Sequence, residues 1–363
     1  MNQKKKKVLL LAVSRPGAIG GQAVCAHMLM DNLHEVEWIS ISFPLPGQNG
    51  IFRFLASIKI LVQSLWICST QKIDAVQVLS ACAKMALLEK LIIARILKWT
   101  GAKVIFSFHG AFDVYYNSFS NSDRRLVLRL LRKMDIVLCL HADLEKFLVA
   151  NGIVPAEKIH VIPNGVSIEP GITRGKSNEE RAKLLYLGWV LREKGMHTLV
   201  DAIGILVNQY GDKKFSLDIV GPEPEKGLIK ELMNKAESRG ISPWVNFLPP
   251  VFGDEKRKVY AGSGIFVFPT RMEGFPFVLL EAMQSGLAVV VTDISPLNLV
   301  VQHNSNGMLF KKDDPADLAK QLHALLNDGG AVIQLGQQAR QHVISNYGLE
   351  RIISMYRDFY AVI

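Results

Sequence analysis

The feature that most constrains this chain is a regular alternation of short apolar runs with longer amphipathic segments. Runs such as Val8–Val13, Ala75–Leu79 and Val104–Phe108 are five or six residues long and carry no charge. That length is typical of buried strands, and the segments between the runs show the apolar period of helices. Strands that alternate with helices pair in parallel, because a helical crossover returns the chain to the same end of the sheet. The pattern therefore predicts a mostly parallel, doubly wound α/β sheet.

The alternation occurs twice and predicts two Rossmann-like halves. In the first half the predicted strands are Val8–Val13, Val36–Ile41, Ala75–Leu79, Val104–Phe108, Ile136–Leu140 and Ile159–Ile162. In the second half they are Leu184–Leu187, Ser216–Val220, Val245–Leu248, Ile265–Phe268, Ala288–Val291 and Met308–Phe310. The 363 residues suit two domains, which we expect over residues 1–165 and 166–345. We expect a C-terminal helix over residues 346–363, with packing against the first domain as one option.

Basic residues are concentrated in the first half. Residues 1–165 contain 20 Lys and Arg against 11 Asp and Glu, whereas residues 166–363 contain 22 of each kind. A basic half favours an anionic partner, which could be nucleic acid, anionic lipid or a phosphorylated substrate. A surface that is basic only for solubility is the alternative. Nucleic acid is the least favoured partner, because no aromatic residues are interleaved on the basic face and no known binding module is present.

Two apolar segments of the first half bear on a membrane partner. Ile51–Trp66 has only Arg53 and Lys59 as charged residues, and Met85–Lys103 combines apolar positions with Lys and Arg. Basic amphipathic helices of this kind can lie in a membrane interface, although either segment alone also fits an ordinary helix packed on a sheet. No stretch reaches 18 uncharged apolar residues, so the sequence predicts no transmembrane span. The short apolar run near the start predicts a strand rather than a signal peptide.

The four cysteines, Cys25, Cys68, Cys82 and Cys139, include no C-x-x-C pair. This spacing argues against a zinc site and against a disulfide framework. Reduced, mostly buried thiols in a cytoplasmic protein are the favoured interpretation.

The strongest chemical signal is the segment Pro269–Met283. The predicted strand Ile265–Phe268 leads into a Gly/Pro turn, and a helix is expected to begin near Val278. The free backbone amides and positive dipole end of that helix suit a diphosphate. Glu273 on the loop can accept hydrogen bonds from sugar hydroxyls, and Glu281, one turn into the helix, can hold a ribose diol. Two acids beside a phosphate site indicate a ligand that also carries many hydroxyl groups.

The run Glu-Gly-Phe-Pro-Phe-Val-Leu-Leu-Glu-Ala-Met over residues 273–283 resembles the Glu, seven residues, Glu motif of family-4 retaining glycosyltransferases. The resemblance implies the GT-B fold, with two Rossmann-like domains whose parallel sheets face across a cleft. It also implies an N-terminal acceptor domain, a C-terminal nucleotide-sugar domain, and neither a metal nor another cofactor. The donor contacts that it implies in this segment are Gly274, Phe275, Pro276, Phe277, Val278, Leu279 and Glu281, with Glu273 in a catalytic role.

Two further segments resemble the family's diphosphate clamp. Gly188 follows a predicted strand, and Lys194 falls where the family places its phosphate-binding lysine, so the resemblance implies a catalytic role for Lys194. Gly221 follows the next strand on the nucleotide side. Trp189 stands where the family usually has Arg. Arg192 is a candidate substitute, because a guanidinium can contact oxygens bidentately; a solvated loop charge is the alternative.

In the first half, the resemblance points to the ends of two strands. Gly20 and Gly21 match the family's first-strand glycine loop, where backbone amides approach a phosphate or sugar. His109 resembles the family's His-Gly segment and would contact the transferred sugar or the β-phosphate. Asp113 is either an acceptor-side base or a structural partner of His109.

The function implied by the resemblance is that of a hexosyl- or N-acetylhexosaminyltransferase acting by front-face substitution with retention. We expect a nucleotide-sugar donor and a saccharide or lipid-linked acceptor, in the synthesis of capsule, exopolysaccharide or lipopolysaccharide. The basic first half favours peripheral contact with an anionic membrane at the inner face of the plasma membrane, and no nucleic-acid partner. A GT-B enzyme of other chemistry, such as a sugar-nucleotide epimerase or a phosphorylase, is the alternative.

Overall fold

The chain forms two compact units, as seen in a computed structural model that describes residues 5–13, 20–44, 50–169 and 177–363. Unit 1 comprises the chain up to Asn164 together with Glu350–Ile363, and unit 2 comprises Gly165–Leu349. The division between Asn164 and Gly165 falls one residue before the sequence-based boundary. The last 14 residues pack within unit 1, although they follow unit 2 along the chain.

Unit 1 is built on a six-stranded sheet in the order β2-β1-β3-β4-β5-β6, with every neighbouring pair parallel. Its strands are β1 (Lys6–Ala12), β2 (Val36–Ser42), β3 (Ala75–Ser80), β4 (Lys103–Phe108), β5 (Ile136–Cys139) and β6 (Ile159–Val161). Its helices are α1 (Gly21–Asn32), α2 (Gly50–Thr70), α3 (Lys84–Leu97), α4 (Phe112–Ser118), α5 (Asn121–Leu131), α6 (Ala142–Ala150) and the C-terminal α15 (Leu349–Val362), whose first residue belongs to unit 2. All six residues of the central strand β3 are buried, as expected for a sheet covered on both faces.

Unit 2 repeats this architecture in the strand order β12-β11-β10-β7-β8-β9, again parallel throughout. Its strands are β7 (Lys183–Leu187), β8 (Ser216–Val220), β9 (Val245–Leu248), β10 (Ile265–Phe268), β11 (Ala288–Thr292) and β12 (Met308–Phe310). Its helices are α7 (Asn178–Arg181), α8 (Met196–Asn208), α9 (Leu228–Ser238), α10 (Gly253–Ala261), α11 (Phe277–Gln284), α12 (Leu297–Val300), α13 (Pro315–Leu326) and α14 (Gly329–Tyr347).

The two parallel α/β sheets confirm the predicted fold class, and the 12 predicted strands differ from the observed ones by two residues at most. The helices were predicted less well. α4, α6, α7, α12 and α14 were not predicted. The amphipathic segment over residues 126–133 predicts one helix of the first half, and that helix, α5, begins earlier, at Asn121. The first turn of α5 is polar, and it forms because the Ser120 hydroxyl caps the Asp123 amide. α14 begins with two glycines and is rich in Gln, so its helical period is weak; its buried residues pack against α11 and β11.

Helix α2 presents its apolar residues to solvent. Residues at 51, 55, 58, 62 and 66 recur at helical spacing and are between 44% and 77% exposed. The polar residues Arg53 and Ser57 instead bond Glu89 on α3. The sequence analysis predicted no transmembrane span from the lengths of the uncharged runs. By length and composition alone, Ile51–Thr70 is apolar enough to cross a membrane although it carries two charged residues, so the absence of a span stays a prediction.

Candidate active site

Three loops of unit 2 meet at the carboxyl edge of its sheet, and two glycines permit the contact. A Cβ on Gly221 would lie 1.8 Å from the Gly188 carbonyl oxygen, so the loops after β7 and β8 approach too closely for any side chain there. A Cβ on Gly195 would lie 1.9 Å from the Pro269 carbonyl oxygen, and Gly195 has a φ of 71°. Only glycine fits both the space and the backbone conformation. The predicted Gly188 and Gly221 therefore lie together, beside the loop that follows β10.

The central pair of this edge is Lys194 and Glu273. Lys194 lies in a 3₁₀ turn after β7, and its ammonium donates to the Glu273 carboxylate on the loop after β10. The side chains are 23% and 12% exposed, so the ion pair is largely but not fully buried. The Arg271 amide donates to the Glu193 carbonyl at 2.9 Å and joins the same two loops. The structure thus brings together two predicted catalytic residues that are 79 positions apart.

Beneath this pair lies Tyr186 of β7. Its hydroxyl donates to the Trp189 carbonyl at 2.7 Å, which fixes the backbone where the family usually has Arg. Burial, and then the neighbouring Glu273 carboxylate, raise the Tyr186 pKa well above its usual value. The phenol therefore stays protonated and supports the loop as a hydrogen-bond donor. The sequence analysis did not identify this role, because Tyr186 lies within a short apolar run that predicts only a buried strand.

Glu281 lies on α11, and both of its carboxylate oxygens have partners. The Lys256 ammonium lies 2.6 Å from Oε1, and the Tyr260 hydroxyl donates to Oε2 at 3.0 Å. Both partners belong to α10, and neither was predicted as a site residue. No sequence motif links Lys256 and Tyr260 to Glu281, because their contact depends on how α10 packs against α11. A carboxylate held in this way can still accept hydrogen bonds from a diol on its free lone pairs.

Most of the predicted donor-binding loop offers backbone rather than side chains. Gly274, Phe275, Pro276, Phe277 and Leu279 are all buried. α11 begins at Phe277, one residue earlier than predicted, and no side chain caps it. Its first-turn amides therefore remain available to an anion, as at any uncapped helix start. Val278 is half-buried at the same end of the helix.

Arg192 is engaged away from the Lys194–Glu273 pair. Its guanidinium donates to both oxygens of Glu231 on α9, and its Nε lies 3.5 Å from a Glu225 oxygen. The hydrogen bonds from Arg192, and then from His197, lower the Glu231 pKa to about 2. To serve as the predicted diphosphate clamp, Arg192 would have to leave these carboxylates.

In unit 1, a buried lysine lies next to the predicted glycine loop. Gly20 has a φ of 127° and precedes α1, which begins at Gly21. The next residue, Gln22, accepts a hydrogen bond of 3.1 Å from the Lys90 ammonium. Lys90 also donates to the Leu79 carbonyl at 2.8 Å and is only 4% exposed. Burial lowers its pKa to about 8, although the neighbouring Glu89 charge acts in the opposite direction. The sequence analysis treated Lys90 only as one of several basic residues on a helix.

His109 follows β4, and its backbone amide donates to the Ser80 carbonyl at 2.8 Å. Both ring nitrogens are buried and have no hydrogen-bond partner among the described residues. Burial, and then the Lys90 charge, lower the His109 pKa to about 3, so the ring is neutral at neutral pH. A neutral imidazole with free nitrogens suits a sugar hydroxyl better than it suits a phosphate.

Asp113 lies in the first turn of α4 and is half-buried. No hydrogen bond joins it to His109, so the alternative that Asp113 is a structural partner of His109 is wrong. Its charge instead acts on His141, whose pKa burial lowers and Asp113 raises. His141 caps α6 by accepting from the Leu144 amide at 3.3 Å. An acceptor-side role for Asp113 remains a prediction.

The comparisons with known proteins agree with this geometry. The family described as Glycosyltransferase Family 4 matches residues 7–170, and the family described as Glycosyl transferases group 1 matches residues 171–342. The D-inositol 3-phosphate glycosyltransferase of Corynebacterium urealyticum is 32% identical over 218 residues, which cover 55% of this chain and 51% of that protein. The chain thus spans about half the length of the curated relatives that it matches.

Two solved structures share the whole fold. The sucrose-phosphate synthase of Thermosynechococcus elongatus has a TM-score of 0.81 at 18% identity, covering 99% of this chain and 100% of that one. Anabaena Alr3699/HepE in complex with UDP and glucose has a TM-score of 0.78 at 16% identity, with the same coverage. At such identities the likeness concerns the fold alone. With both halves of the chain matched, the protein belongs to the family-4 glycosyltransferases and has the GT-B fold.

Proposed function

We propose that this glycosyltransferase retains the anomeric configuration and transfers a hexosyl or N-acetylhexosaminyl group from a nucleotide-sugar donor. The observation that carries the proposal is the Lys194–Glu273 ion pair, held beside the uncapped start of α11 and followed by Glu281. The amides at the start of α11 suit the diphosphate, Glu281 suits the ribose diol, and Glu273 suits hydroxyls of the sugar. The structure of HepE with UDP and glucose shows that a protein of this fold takes such a ligand.

In this proposal the protein supplies charge and position rather than a nucleophile. As the donor bond breaks, negative charge develops on the departing diphosphate, and the Lys194 ammonium offsets it. The bound diphosphate displaces part of the Lys194–Glu273 interaction and frees the Glu273 carboxylate for the sugar. The neutral His109 forms one hydrogen bond with a sugar hydroxyl, either as donor or as acceptor. No step in this scheme calls for a metal or another cofactor.

We further propose a saccharide or lipid-linked acceptor at the inner face of the plasma membrane, in the synthesis of cell-surface polysaccharide. Two features of unit 1 support this part: the excess of basic residues in the first half of the chain, and the apolar face that α2 presents to solvent. Because Arg53 and Ser57 of α2 bond Glu89 on α3, we place the helix along the bilayer surface rather than across it.

The donor assignment is tested by a thermal-shift screen of UDP-, GDP-, ADP- and CMP-sugars on the wild type, on Glu281→Ala and on Glu237→Ala. Glu237 is an exposed acid of α9 and serves as the matched control. We expect one nucleotide class to stabilise the wild type and Glu237→Ala but not Glu281→Ala, because the ribose loses its acceptor. An unchanged shift in Glu281→Ala would remove the donor site from this edge of the sheet.

The reaction type is tested separately with the radiolabelled form of the stabilising donor and a mixture of saccharide and lipid-linked acceptors. Label transferred to an acceptor, with the anomeric configuration of the donor preserved in the product by NMR, is the expected result. Inversion of that configuration, or an epimerised donor without transfer, contradicts the proposal.

A further inference from the structure

Helix α5 carries a dense basic face that the donor site does not use. Five cations of α5 and the residues just after it line one cavity of about 470 Å³: Arg124, Arg125, Arg129, Arg132 and Lys133. The spacing of four and three residues between 125, 129 and 132 places those side chains on one side of the helix. Like charges at such spacing repel one another, so the cluster lowers the stability of the isolated helix. We call this cavity the basic pocket.

The remaining walls of the basic pocket are an aromatic ring and an aliphatic side chain. They come from Tyr116 of α4 and Leu128 of α5, and no carboxylate lines the cavity. The Arg124 guanidinium lies 5.5 Å from the Tyr116 ring centroid and donates to the Tyr116 carbonyl at 3.0 Å. The volume lies within the range of small-ligand pockets, and a lining of five cations favours an anionic ligand.

Two of the five cations are held in place by the backbone. Arg124 donates to the carbonyls of Tyr116 and Asn117, and Arg132 donates twice to the Gly152 carbonyl, at 3.2 and 2.6 Å. Neutral carbonyls orient these guanidinium groups without neutralising them. The positive charge of the cavity therefore stays uncompensated on this side.

The other three cations, Arg125, Arg129 and Lys133, are exposed and form no ion pair with any residue that the structure describes. The acid nearest in sequence to Lys133 is Asp135, which pairs with Lys98. The acid nearest to Arg125 is Asp123 in the first turn of α5. Its carboxylate is taken by the Lys84 ammonium at 2.5 Å and by the Ser120 hydroxyl at 2.7 Å. The donors of Arg125 and Arg129 are thus free for an external acceptor.

We propose that the basic pocket binds a phosphate group, separately from the donor site of unit 2. Guanidinium groups match phosphate oxygens bidentately, and several together recognise one phosphate better than a single cation does. The phosphate can belong to an anionic lipid headgroup or to a soluble phosphorylated molecule, because both present the same oxygens.

The position of the pocket within unit 1 makes the lipid source physically accessible. Helix α3 packs against both α2 and α5, and the Lys84–Asp123 ion pair joins α3 to the start of α5. The exposed apolar face of α2 and the basic pocket therefore belong to one helical layer of the unit. Apolar side chains beside phosphate-binding cations are the two components of a peripheral lipid site.

The test compares the full-length wild type with Arg125→Gln/Arg129→Gln and with Lys213→Gln/Lys214→Gln. The control removes the same charge from two exposed lysines of unit 2. Each protein is measured with two probes. The first is co-sedimentation with vesicles of phosphatidylglycerol and phosphatidylcholine. The second is calorimetric titration with inorganic phosphate while the nucleoside diphosphate of the donor occupies the site of unit 2. Circular dichroism confirms that all three are equally folded.

If the phosphate comes from lipid, the wild type and the control bind anionic vesicles, and the Arg variant binds them about 30-fold more weakly, since each cation near the surface contributes about one factor of five. If the phosphate is soluble, the wild type and the control bind inorganic phosphate, and the Arg variant shows the same loss in that titration. Equal binding by the Arg variant and the control in both probes, or no binding of either probe by the wild type, overturns the proposal. Donor binding at Glu281 is unaffected in each case, so the result is independent of the proposed function.

Discussion

At the scale of single residues, unit 1 buries a lysine and a histidine that form no ion pair with any described residue. Lys90 is fully enclosed, with Gln22 and the Leu79 carbonyl as acceptors, and its Nζ lies 4.7 Å from the Phe43 ring centroid. His109 is buried, and neither ring nitrogen has a hydrogen-bond partner in the part of the chain that the structure describes. Burying such groups lowers the free energy of unfolding. Buried groups whose pKa values are perturbed cluster at functional sites. Both residues lie next to loops that follow the carboxyl ends of strands, where ligands of parallel sheets bind.

The buried Lys90 predicts a pH dependence of stability. Its folded pKa of about 8 lies below the usual 10.5, so the unfolded chain binds more protons between these values. The free energy of unfolding therefore rises with pH in this window, and the burial penalty is complete below pH 8. The wild type should gain about 2 kcal/mol relative to Lys90→Met between pH 8 and 9.5, as measured by urea unfolding. Exposed Lys146→Met is the control, and parallel curves for wild type and Lys90→Met would contradict the prediction.

Lys183 and Lys194 allow a matched comparison between the two ends of strand β7. Lys183 begins β7 and pairs with Asp218, whereas Lys194 follows the carboxyl end of β7 and pairs with Glu273. Lys194→Ala should lower kcat/KM by roughly 100-fold or more, because the departing diphosphate loses a preorganised cation. Lys183→Ala, which removes the same charge from the opposite end of the strand, should stay within about threefold of the wild type, since it leaves that cation in place. Equal losses in the two variants would show that the effect comes from the stability of unit 2.

At the scale of elements, α2 departs from the usual orientation of a surface helix. Its apolar stripe faces solvent, while Ile60 and Ser64 are buried and Arg53 and Ser57 bond Glu89. A soluble helix normally buries the apolar face, because each large side chain removed from water stabilises the fold by about 1.5–3 kcal/mol. An exposed stripe of this size marks an interaction surface.

The exposed face of α2 predicts apolar insertion into a bilayer. Phe54→Ser/Val62→Ser should weaken flotation with phosphatidylglycerol vesicles by at least tenfold, because two large side chains no longer leave water. The control is Phe252→Ser/Met233→Ser, which changes two comparably exposed residues of unit 2. Thermal unfolding of both variants should match the wild type. Undiminished flotation of the α2 variant would show that this face serves another partner.

At the scale of the whole molecule, each unit completes its own core, and the chain end contributes to the first one. Tyr360 of α15 donates to Gln77 of β3, and Arg357 lies 2.6 Å from Glu35. Tyr356 hydrogen-bonds the Cys25 thiol, whose pKa burial raises to about 12. The four cysteines are free, and three of them are buried. Removing α15 would therefore expose core residues of unit 1, although that helix follows unit 2 in the chain.

The sequence by itself determined the fold class, the 12 strands and the candidate donor motif. Strand positions follow from short apolar runs, which are a local property, and the motif over residues 273–283 is contiguous. Glu273 and Lys194 could be named from that motif and from the resemblance of the loop around Lys194. The same is true of Gly188 and Gly221, since each follows a predicted strand.

Only the tertiary structure decided which side chains meet. It paired Glu281 with Lys256 and Tyr260 and turned Arg192 toward Glu231. It left Asp113 without a hydrogen bond to His109 and enclosed Lys90 beside Gln22. It also turned the apolar stripe of α2 outward and gathered the α5 cations around one cavity. These contacts join residues that are distant along the chain, and their geometry depends on how helices pack on the sheet. Local periodicity fixes the elements, whereas the balance of burial, charge and hydrogen bonding among distant groups fixes the sites.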